Sequence, residues 1–240
     1  MSKKNRIDKR LVSLSAPASF PAEQYQGLRL TIERLGQGRG AQVIAVTSPA
    51  AGDGKTLTAI NLAGALSRGS DARVLLVDAD LRRPSIATQL ALDEYAKGLA
   101  DLLIDGGTTL QDVTQTLKEH KLSVISSGIA RGPVHQMLRS ARLELIFQQA
   151  RQSYDYIVLD TPPLLPVFDS ALLAKSVDGV LMVVSANQTP RKLLGEALNL
   201  LDATKVLGIV FNRDDRPLFG YYDAYYRGYF PDASSVASEA

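Results

Sequence analysis

The sequence has no cysteine, no tryptophan and only two histidines, His120 and His135, in 240 residues. The lack of cysteine excludes disulfides, cysteine-ligated zinc, iron–sulfur clusters and thiol catalysis, and two histidines do not suffice for a histidine-rich metal site. No apolar run approaches the ~20 residues that span a bilayer. The basic N-terminus also lacks the apolar segment of a secretory signal. We therefore expect a cytoplasmic protein.

The sequence also lacks a large excess of positive or negative charge. The 27 Lys and Arg residues exceed the 25 Asp and Glu residues by only two. So small an excess argues against nucleic acid as the main partner. The composition is otherwise that of a globular protein, with 45% hydrophobic and 22% charged residues.

Short, continuously apolar runs alternate with segments of helical spacing over most of the chain. Continuous runs are typical of strands buried on both faces, so they predict an α/β fold whose mostly parallel sheet is covered by helices on both faces. The predicted strands are 42–47, 73–78, 122–126, 156–160, 179–184 and 206–211. The predicted helices are 21–35, 55–67, 85–92, 99–104, 134–152, 170–175 and 191–203.

Residues 47–56, TSPAAGDGKT, follow a predicted strand and begin a predicted helix. Gly52 and Gly54 allow the backbone to curl with its N–H groups inward, and a helix N-terminus favours anions. Lys55 would then reach the β- and γ-phosphates of a nucleotide, and the Thr56 hydroxyl would bind Mg²⁺. Pro49 replaces the usual first glycine, and a glycine-rich turn before an ordinary helix is the alternative. The residues expected to bind nucleotide here are Gly52, Asp53, Gly54, Lys55, Thr56 and Leu57.

Two further predicted strands end in carboxylates. The first ends in Asp78 and is followed by Asp80 and Arg82, and the second ends in Asp160 before Thr-Pro-Pro. A buried strand that ends in aspartate commonly supports Mg²⁺ in P-loop enzymes, whereas carboxylates without a cation would repel phosphate. Helix capping is the alternative for an isolated strand-end aspartate. The combination predicts a protein that binds ATP with Mg²⁺.

With these motifs, the sequence resembles the kinase domain of the bacterial tyrosine kinases (BY-kinases) of capsule and exopolysaccharide systems, from about residue 23 to residue 211. The elements Asp-x-Asp-x-Arg and Asp-x-Pro-Pro, each after a hydrophobic run, are that family's versions of the second and third Walker motifs. The stretch LLPVFDSALLAKSVDGVLMVVSANQT is also similar. The resemblance implies a P-loop fold related to MinD and ParA. The chain then divides into a flexible basic arm (1–20), a P-loop kinase domain (21–212) and a flexible tyrosine-rich tail (213–240).

The resemblance also implies roles for individual side chains. Asp78 and Asp160 would organise Mg²⁺ with Thr56, and Asp80 would orient or deprotonate the attacking tyrosine hydroxyl. Arg82 would contact phosphate or another subunit, and Asn212 would lie beside adenine. The expected catalytic residues are Lys55, Asp78, Asp80 and Asp160.

Five of the nine tyrosines lie within nine residues near the C-terminus, where chance predicts about a third of one. The resemblance implies that they are autophosphorylation sites, and an aromatic docking segment is the alternative. Each phosphate would add about −1.5 to −2 charges. The clustered tyrosines are Tyr221, Tyr222, Tyr225, Tyr226 and Tyr229.

The expected partners follow from the same resemblance. Glu23 and Arg29 match a family motif for self-association, but Gln26 replaces its first arginine and cannot make the same bidentate contact. Because no membrane-spanning segment is found, we expect a membrane chain-length regulator to activate the kinase in trans and recruit it to the inner face of the cell membrane. A protein-tyrosine phosphatase would reverse the modification.

Three hypotheses for function therefore stand. The first is an ATP-dependent tyrosine autokinase that regulates polysaccharide polymerisation or export. The second is a nucleotide-switch ATPase of the MinD/ParA type, which Ala50 disfavours because those proteins carry a lysine there. The third is a pseudokinase scaffold, which the departures at Pro49 and Gln26 leave open.

Overall fold

The computed structural model describes residues 7–69 and 71–214. Its strands are β1 (Gln42–Thr47), β2 (Val74–Asp78), β3 (Thr114–Leu117), β4 (Leu122–Ile125), β5 (Tyr156–Asp160), β6 (Gly179–Ser185) and β7 (Val206–Asn212). Its longer helices are α2 (Phe20–Gly36), α3 (Lys55–Gly69), α5 (Leu99–Ile104), α8 (Ala141–Ser153) and α10 (Arg191–Leu198). Its shorter helices are α1 (Val12–Ser15), α4 (Ile86–Gln89), α6 (Leu110–Val113), α7 (Val134–Leu138) and α9 (Asp169–Leu173).

The strands of the described residues form one sheet in the order β3-β4-β2-β5-β1-β6-β7. Every neighbouring pair is parallel except β3 with β4. All residues of β1, β2 and β6 are buried, as their continuous apolar runs predict. One core forms between the sheet and α5, α7 and α8, and another forms under α1 to α4. These observations confirm the α/β fold with helices on both faces.

The sheet brings the chemistry-bearing motifs together. Strands β2, β5 and β1 are adjacent, and Asp78 is opposite Asp160 in the register of β2 and β5. Because the strands run parallel, their carboxyl ends share one edge of the sheet, where ligands bind in open α/β folds. The loop that follows β1 leaves the sheet at this same edge and leads into α3.

The N-terminal segment differs from the flexible arm expected over residues 1–20. Residues 1–6 lie outside the described residues, but Leu11 and Leu14 are almost fully buried in the core above α3. Asn61 of α3 fixes the segment, since its Oδ1 accepts the Ser13 N–H at 2.9 Å and its Nδ2 donates to the Arg10 carbonyl at 3.1 Å. The expectation is wrong for this stretch because the two leucines bury apolar area that composition alone did not reveal.

Other elements of secondary structure also differ from the prediction. The edge strand β3 was not expected, and its residues TQTL are half-buried or exposed. The helix predicted over 134–152 is broken before Ser140, whose Oγ accepts the Arg142 N–H and caps α8. Helix α10 ends at Leu198 and is shorter than predicted.

Candidate active site

The loop between β1 and α3 has the backbone shape of a phosphate-binding loop. Gly52 and Gly54 both have φ of +93°, a conformation that other residues rarely adopt. A Cβ atom on Gly54 would lie 1.9 Å from the Asn212 side-chain nitrogen, so a glycine is also required there for space. This close approach joins the loop to the end of β7, where Asn212 was expected beside the base.

The Asp53 side chain is buried, and both of its carboxylate oxygens accept hydrogen bonds from the protein. Its Oδ2 accepts the Ala50 N–H at 3.2 Å, and its Oδ1 accepts the Thr189 hydroxyl at 2.7 Å. Its carbonyl accepts the Asn212 side-chain N–H at 2.9 Å. Leu57, also predicted to bind nucleotide, packs its side chain against the core. Contact of these two residues with nucleotide stays a prediction.

Lys55 and Thr56, the first two residues of α3, meet the acidic ends of β2 and β5. The Lys55 ammonium lies 3.1 Å from Asp80 Oδ2 and 3.5 Å from Asp160 Oδ1. The Thr56 hydroxyl donates to Asp160 Oδ2 at 2.6 Å. The side chains of Lys55, Asp80 and Asp160 are 12%, 5% and 1% exposed, so their charges interact with little screening.

Asp78 differs from Asp80 and Asp160 in that both of its carboxylate oxygens accept backbone hydrogen bonds. Its Oδ2 accepts the N–H groups of Ser85 and Ile86, both at 3.0 Å, and its Oδ1 accepts the Asp80 N–H at 3.2 Å. The carboxylate thus shapes the turn after β2 and caps the start of α4, as the capping alternative suggested. It still lies in the same buried cluster, and the Coulombic effect of Asp160 acts on it.

The cluster holds three carboxylates and one ammonium, and its ionisation reflects this excess of negative charge. Burial, followed by the charge of Asp160, raises the pKa of Asp78 to about 7. Burial also raises the pKa of Asp160 to about 6, against the opposing effect of Lys55. Burial acts to lower the pKa of Lys55, but the charges of Asp160 and Asp80 outweigh it and the pKa is raised. The cluster is therefore short of positive charge when its carboxylates are ionised.

The donor set suits a magnesium ion held together with phosphates. Asp160 Oδ1 is buried and accepts no hydrogen bond, and its one charged neighbour is the Lys55 ammonium at 3.5 Å, so it could coordinate a cation once Lys55 turns to phosphate. The Thr56 hydroxyl donates to the other oxygen of the same carboxylate. Within residues 7–69 and 71–214, no group of three His, Cys, Asp or Glu side chains could hold a metal ion alone. Mg²⁺ would thus take phosphate oxygens and waters as further ligands, as it does in P-loop enzymes.

Arg82 is not brought into this cluster. Its Nε donates to Asp169 Oδ2 at 2.5 Å, and Asp169 is only 1% exposed at the start of α9. The ion pair joins the segment after β2 to the segment after β5. Sequence reasoning assigned no role to Asp169 and Thr189, although both lie within the stretch of residues 164–189 that resembles the family, because their partners Arg82 and Asp53 are distant in the sequence.

Glu23 and Arg29 lie on α2, which packs against α3. Arg29 Nε donates to Gln26 Oε1 at 2.9 Å, and its Nη1 pairs with Glu33 at 3.0 Å. Arg29 therefore already has partners within its own chain. Among the described residues, no helix is both long enough and apolar enough to cross a membrane.

Comparisons with known proteins agree with this geometry. A family model described as an AAA domain matches residues 41–205. Tyrosine-protein kinase YwqD of Bacillus subtilis is 30% identical over 223 residues, which cover 91% of this chain and 93% of that protein. Succinoglycan biosynthesis transport protein ExoP of Rhizobium meliloti is 33% identical over 216 residues, which cover 88% of this chain but only 27% of that longer protein.

Solved structures are also similar to this chain in fold. The kinase domain of VpsO is similar with a TM-score of 0.72 and 29% identity, covering 80% of this chain and 95% of that one. The cell-division ATPase MinD of Pyrococcus furiosus shares the fold, with a TM-score of 0.59 at 22% identity and coverage of 74% and 76%. Both the matching family model and the relatives lead to one assignment: this chain belongs to the bacterial tyrosine kinases, enzymes with a P-loop domain of the AAA type.

Proposed function

We propose that this protein is an ATP-dependent tyrosine autokinase that regulates polysaccharide polymerisation or export by phosphorylating its own C-terminal tyrosine cluster in trans. The observation that carries the proposal is the buried cluster in which Lys55 lies between Asp80 and Asp160 beside the Thr56 hydroxyl. P-loop enzymes carry out phosphoryl transfer with a phosphate-binding loop, a lysine ammonium and strand-end carboxylates that support Mg²⁺.

The residues of the cluster have separate tasks in this reaction. The N–H groups of the loop and the Lys55 ammonium bind the phosphates of ATP, and Lys55 leaves its two carboxylates to do so. Thr56, Asp78 and Asp160 would hold Mg²⁺, which neutralises phosphate charge when bound. In the described structure Asp80 Oδ1 accepts the Arg83 N–H at 3.0 Å, which fixes the carboxylate while its Oδ2 faces Lys55.

The transfer step follows from this arrangement. The tyrosine oxygen attacks the γ-phosphorus, the bond from that phosphorus to the bridging oxygen breaks, and ADP leaves. The proton of the phenol passes to the Asp80 carboxylate, because a phenol with a pKa near 10 is protonated at neutral pH. In a loose transition state, alignment and charge neutralisation contribute more than the base does.

The acceptor tyrosines, Tyr221 to Tyr229, lie outside the described residues. Support for them as acceptors is their clustering in the sequence, together with the names of the relatives as tyrosine-protein kinases. The acceptor set comprises Tyr221, Tyr222, Tyr225, Tyr226 and Tyr229.

Partners form the second part of the proposal. The Bacillus relative is matched over nearly its whole length, whereas the Rhizobium relative, named a transport protein, is several times longer. We propose that a membrane chain-length regulator activates this kinase in trans and recruits it to the inner face of the membrane. A tyrosine phosphatase resets the tail. Self-association through Glu23 and Arg29 requires Arg29 to exchange its internal partners for those of another subunit.

Mass spectrometry of the intact protein and its peptides, before and after Mg-ATP, tests the proposal. Wild type should gain phosphate on the Tyr221–Tyr229 peptide, and Lys55→Met should gain none because the phosphates lose their ammonium. Lys192→Met, at an exposed position of α10, is the matched control and should label as wild type does. If wild type hydrolyses ATP without labelling, even with a fragment of the membrane regulator, the nucleotide-switch hypothesis replaces the autokinase.

A further inference from the structure

The phosphate loop carries a negative charge of its own, although a carboxylate beside a triphosphate repels it. That charge is Asp53, which is 5% exposed and lies between the two glycines with positive φ. Both of its carboxylate oxygens accept hydrogen bonds, one from Ala50 and one from Thr189. The carboxylate therefore stabilises the conformation of the loop. Of its two donors, Ala50 belongs to the loop and Thr189 lies outside it.

The Thr189 hydroxyl connects three parts of the chain. It donates to Asp53 at 2.7 Å and accepts the N–H of Ser185, the last residue of β6, at 2.9 Å. Ser185 is paired in register with Asn212, and the next residue, Ala186, donates its N–H to the Asn212 carbonyl at 2.7 Å. The phosphate loop, the turn after β6 and the end of β7 thus form one hydrogen-bonded unit.

We propose that Thr189 is a positioning residue for the nucleotide. It acts through Asp53, holding the loop in its curled form before ATP arrives, and it links the loop to Asn212 on the side where the base is expected. Without the hydroxyl, Asp53 Oδ1 and the Ser185 N–H both lose a partner in a largely buried place, and Asp53 keeps only the Asn212 bond to its carbonyl as a contact from outside the loop. The inference rests on the proposed use of this loop for ATP, but not on transfer to tyrosine.

Calorimetric titration with Mg-ATP tests the inference directly. Thr189→Val keeps the shape of the side chain and removes the hydroxyl, so we expect the Kd to rise by about 10-fold, the equivalent of one charge-assisted hydrogen bond. Thr189→Ser keeps the hydroxyl and should bind within about twofold of wild type. In kinase assays of Thr189→Val, KM for ATP should rise while kcat at saturating ATP stays near that of wild type, because the variant leaves Lys55 and Asp80 in place.

Thr204→Val is the matched control. Thr204 also donates to a carboxylate at 2.7 Å, that of Asp202, in an exposed turn before β7. It should change neither binding nor KM. A double variant, Asp53→Ala with Thr189→Val, should bind no more weakly than Asp53→Ala alone, because the hydroxyl contacts the phosphate loop through this carboxylate.

Several outcomes overturn the inference: Mg-ATP binding by Thr189→Val that equals wild type, a serine variant as weak as the valine variant, or additive losses in the double variant. Melting temperatures measured beside the titrations confirm that each variant is folded. Weakened ATP binding in the expected pattern, in a protein that never labels tyrosine, would support the inference while refuting the autokinase.

Discussion

Replacing Asp160 with asparagine should stabilise the protein in the absence of Mg²⁺ and nucleotide, even though we propose that Asp160 holds Mg²⁺. Asp160 is fully buried, its Oδ1 has no hydrogen-bond partner, and burial raises its pKa to about 6. An asparagine of the same shape keeps an oxygen for the Thr56 hydroxyl and carries no charge. The variant therefore removes a desolvation cost that Lys55 and the Thr56 hydroxyl offset only in part when Mg²⁺ and nucleotide are absent.

The expected magnitude follows from the pKa. A rise from 3.8 to about 6 corresponds to about 3 kcal/mol at neutral pH, at roughly 1.4 kcal/mol per unit. Lys55 loses part of its charge compensation in the variant, so we expect a net gain of about 1–3 kcal/mol. For a chain of this size each kcal/mol raises the melting temperature by about 2–4 °C.

The pH dependence has a definite sign. Asp160 and Asp78 have folded-state pKa values of about 6 and about 7, above the 3.8 of the unfolded chain, so the folded protein binds more protons in this window. The contribution of these two carboxyl groups to the stability of the wild type should accordingly be largest below about pH 4 and fall as pH rises from about 4 to about 7. The variant should show a shallower fall.

Thermal melts in EDTA between pH 5 and pH 8 measure both effects. The matched control is Asp169→Asn, another buried aspartate, whose charge is paired with Arg82 and whose loss should destabilise the protein. Mg-ATP should raise the melting temperature of the wild type and not that of Asp160→Asn. The reasoning is refuted if Asp160→Asn melts below the wild type at pH 8 without Mg²⁺, or if the two have equal pH slopes.

Two further substitutions test other parts of the structure. Leu14→Ala should cost about 2–5 kcal/mol in urea unfolding because Leu14 is 4% exposed against α3, whereas Lys9→Ala on the exposed side should cost under about 0.5 kcal/mol; equal costs would mean that the segment does not pack as described. Gly54→Ala should weaken Mg-ATP binding by at least about 10-fold in calorimetry, since its Cβ would meet the Asn212 amide and its φ is +93°; Gly27→Ala, with open space around its Cβ, should bind normally, and normal binding by Gly54→Ala would contradict the prediction.

The sheet and the meeting of its acidic strand ends were predictable because they depend on local pattern. Continuous apolar runs indicated parallel strands, and parallel strands place Asp78 and Asp160 at one edge. The glycines before Lys55 indicated a curled loop for a reason of backbone chemistry that holds in any fold. The roles of these residues in catalysis stay predictions, as do the tail tyrosines.

What sequence reasoning missed depends on contacts between distant segments. Leu11 and Leu14 are too few to form a periodic pattern, and only the surface of α3 with Asn61 explains their burial. The strand β3 is short and lacks an apolar run, so no pattern announces it, and it forms where β4 offers an edge for antiparallel pairing. Asp169 and Thr189 are ordinary residues until the fold places Arg82 and Asp53 beside them.

The hydrogen bonds that join the phosphate loop to Thr189 and to the end of β7 affect how the chain folds during its synthesis. Thr189 lies 136 residues after Asp53, and Asn212 lies 159 residues after it. At about 5–20 residues per second, a ribosome would release these partners roughly 7–30 s after the loop itself. Strand β1, which leads into the loop, also pairs with β5 and β6, and both of these strands are synthesised after it. A nascent chain therefore completes this part of its nucleotide site only when β7 docks, so ATP can stabilise the finished domain but cannot guide the early steps of its folding.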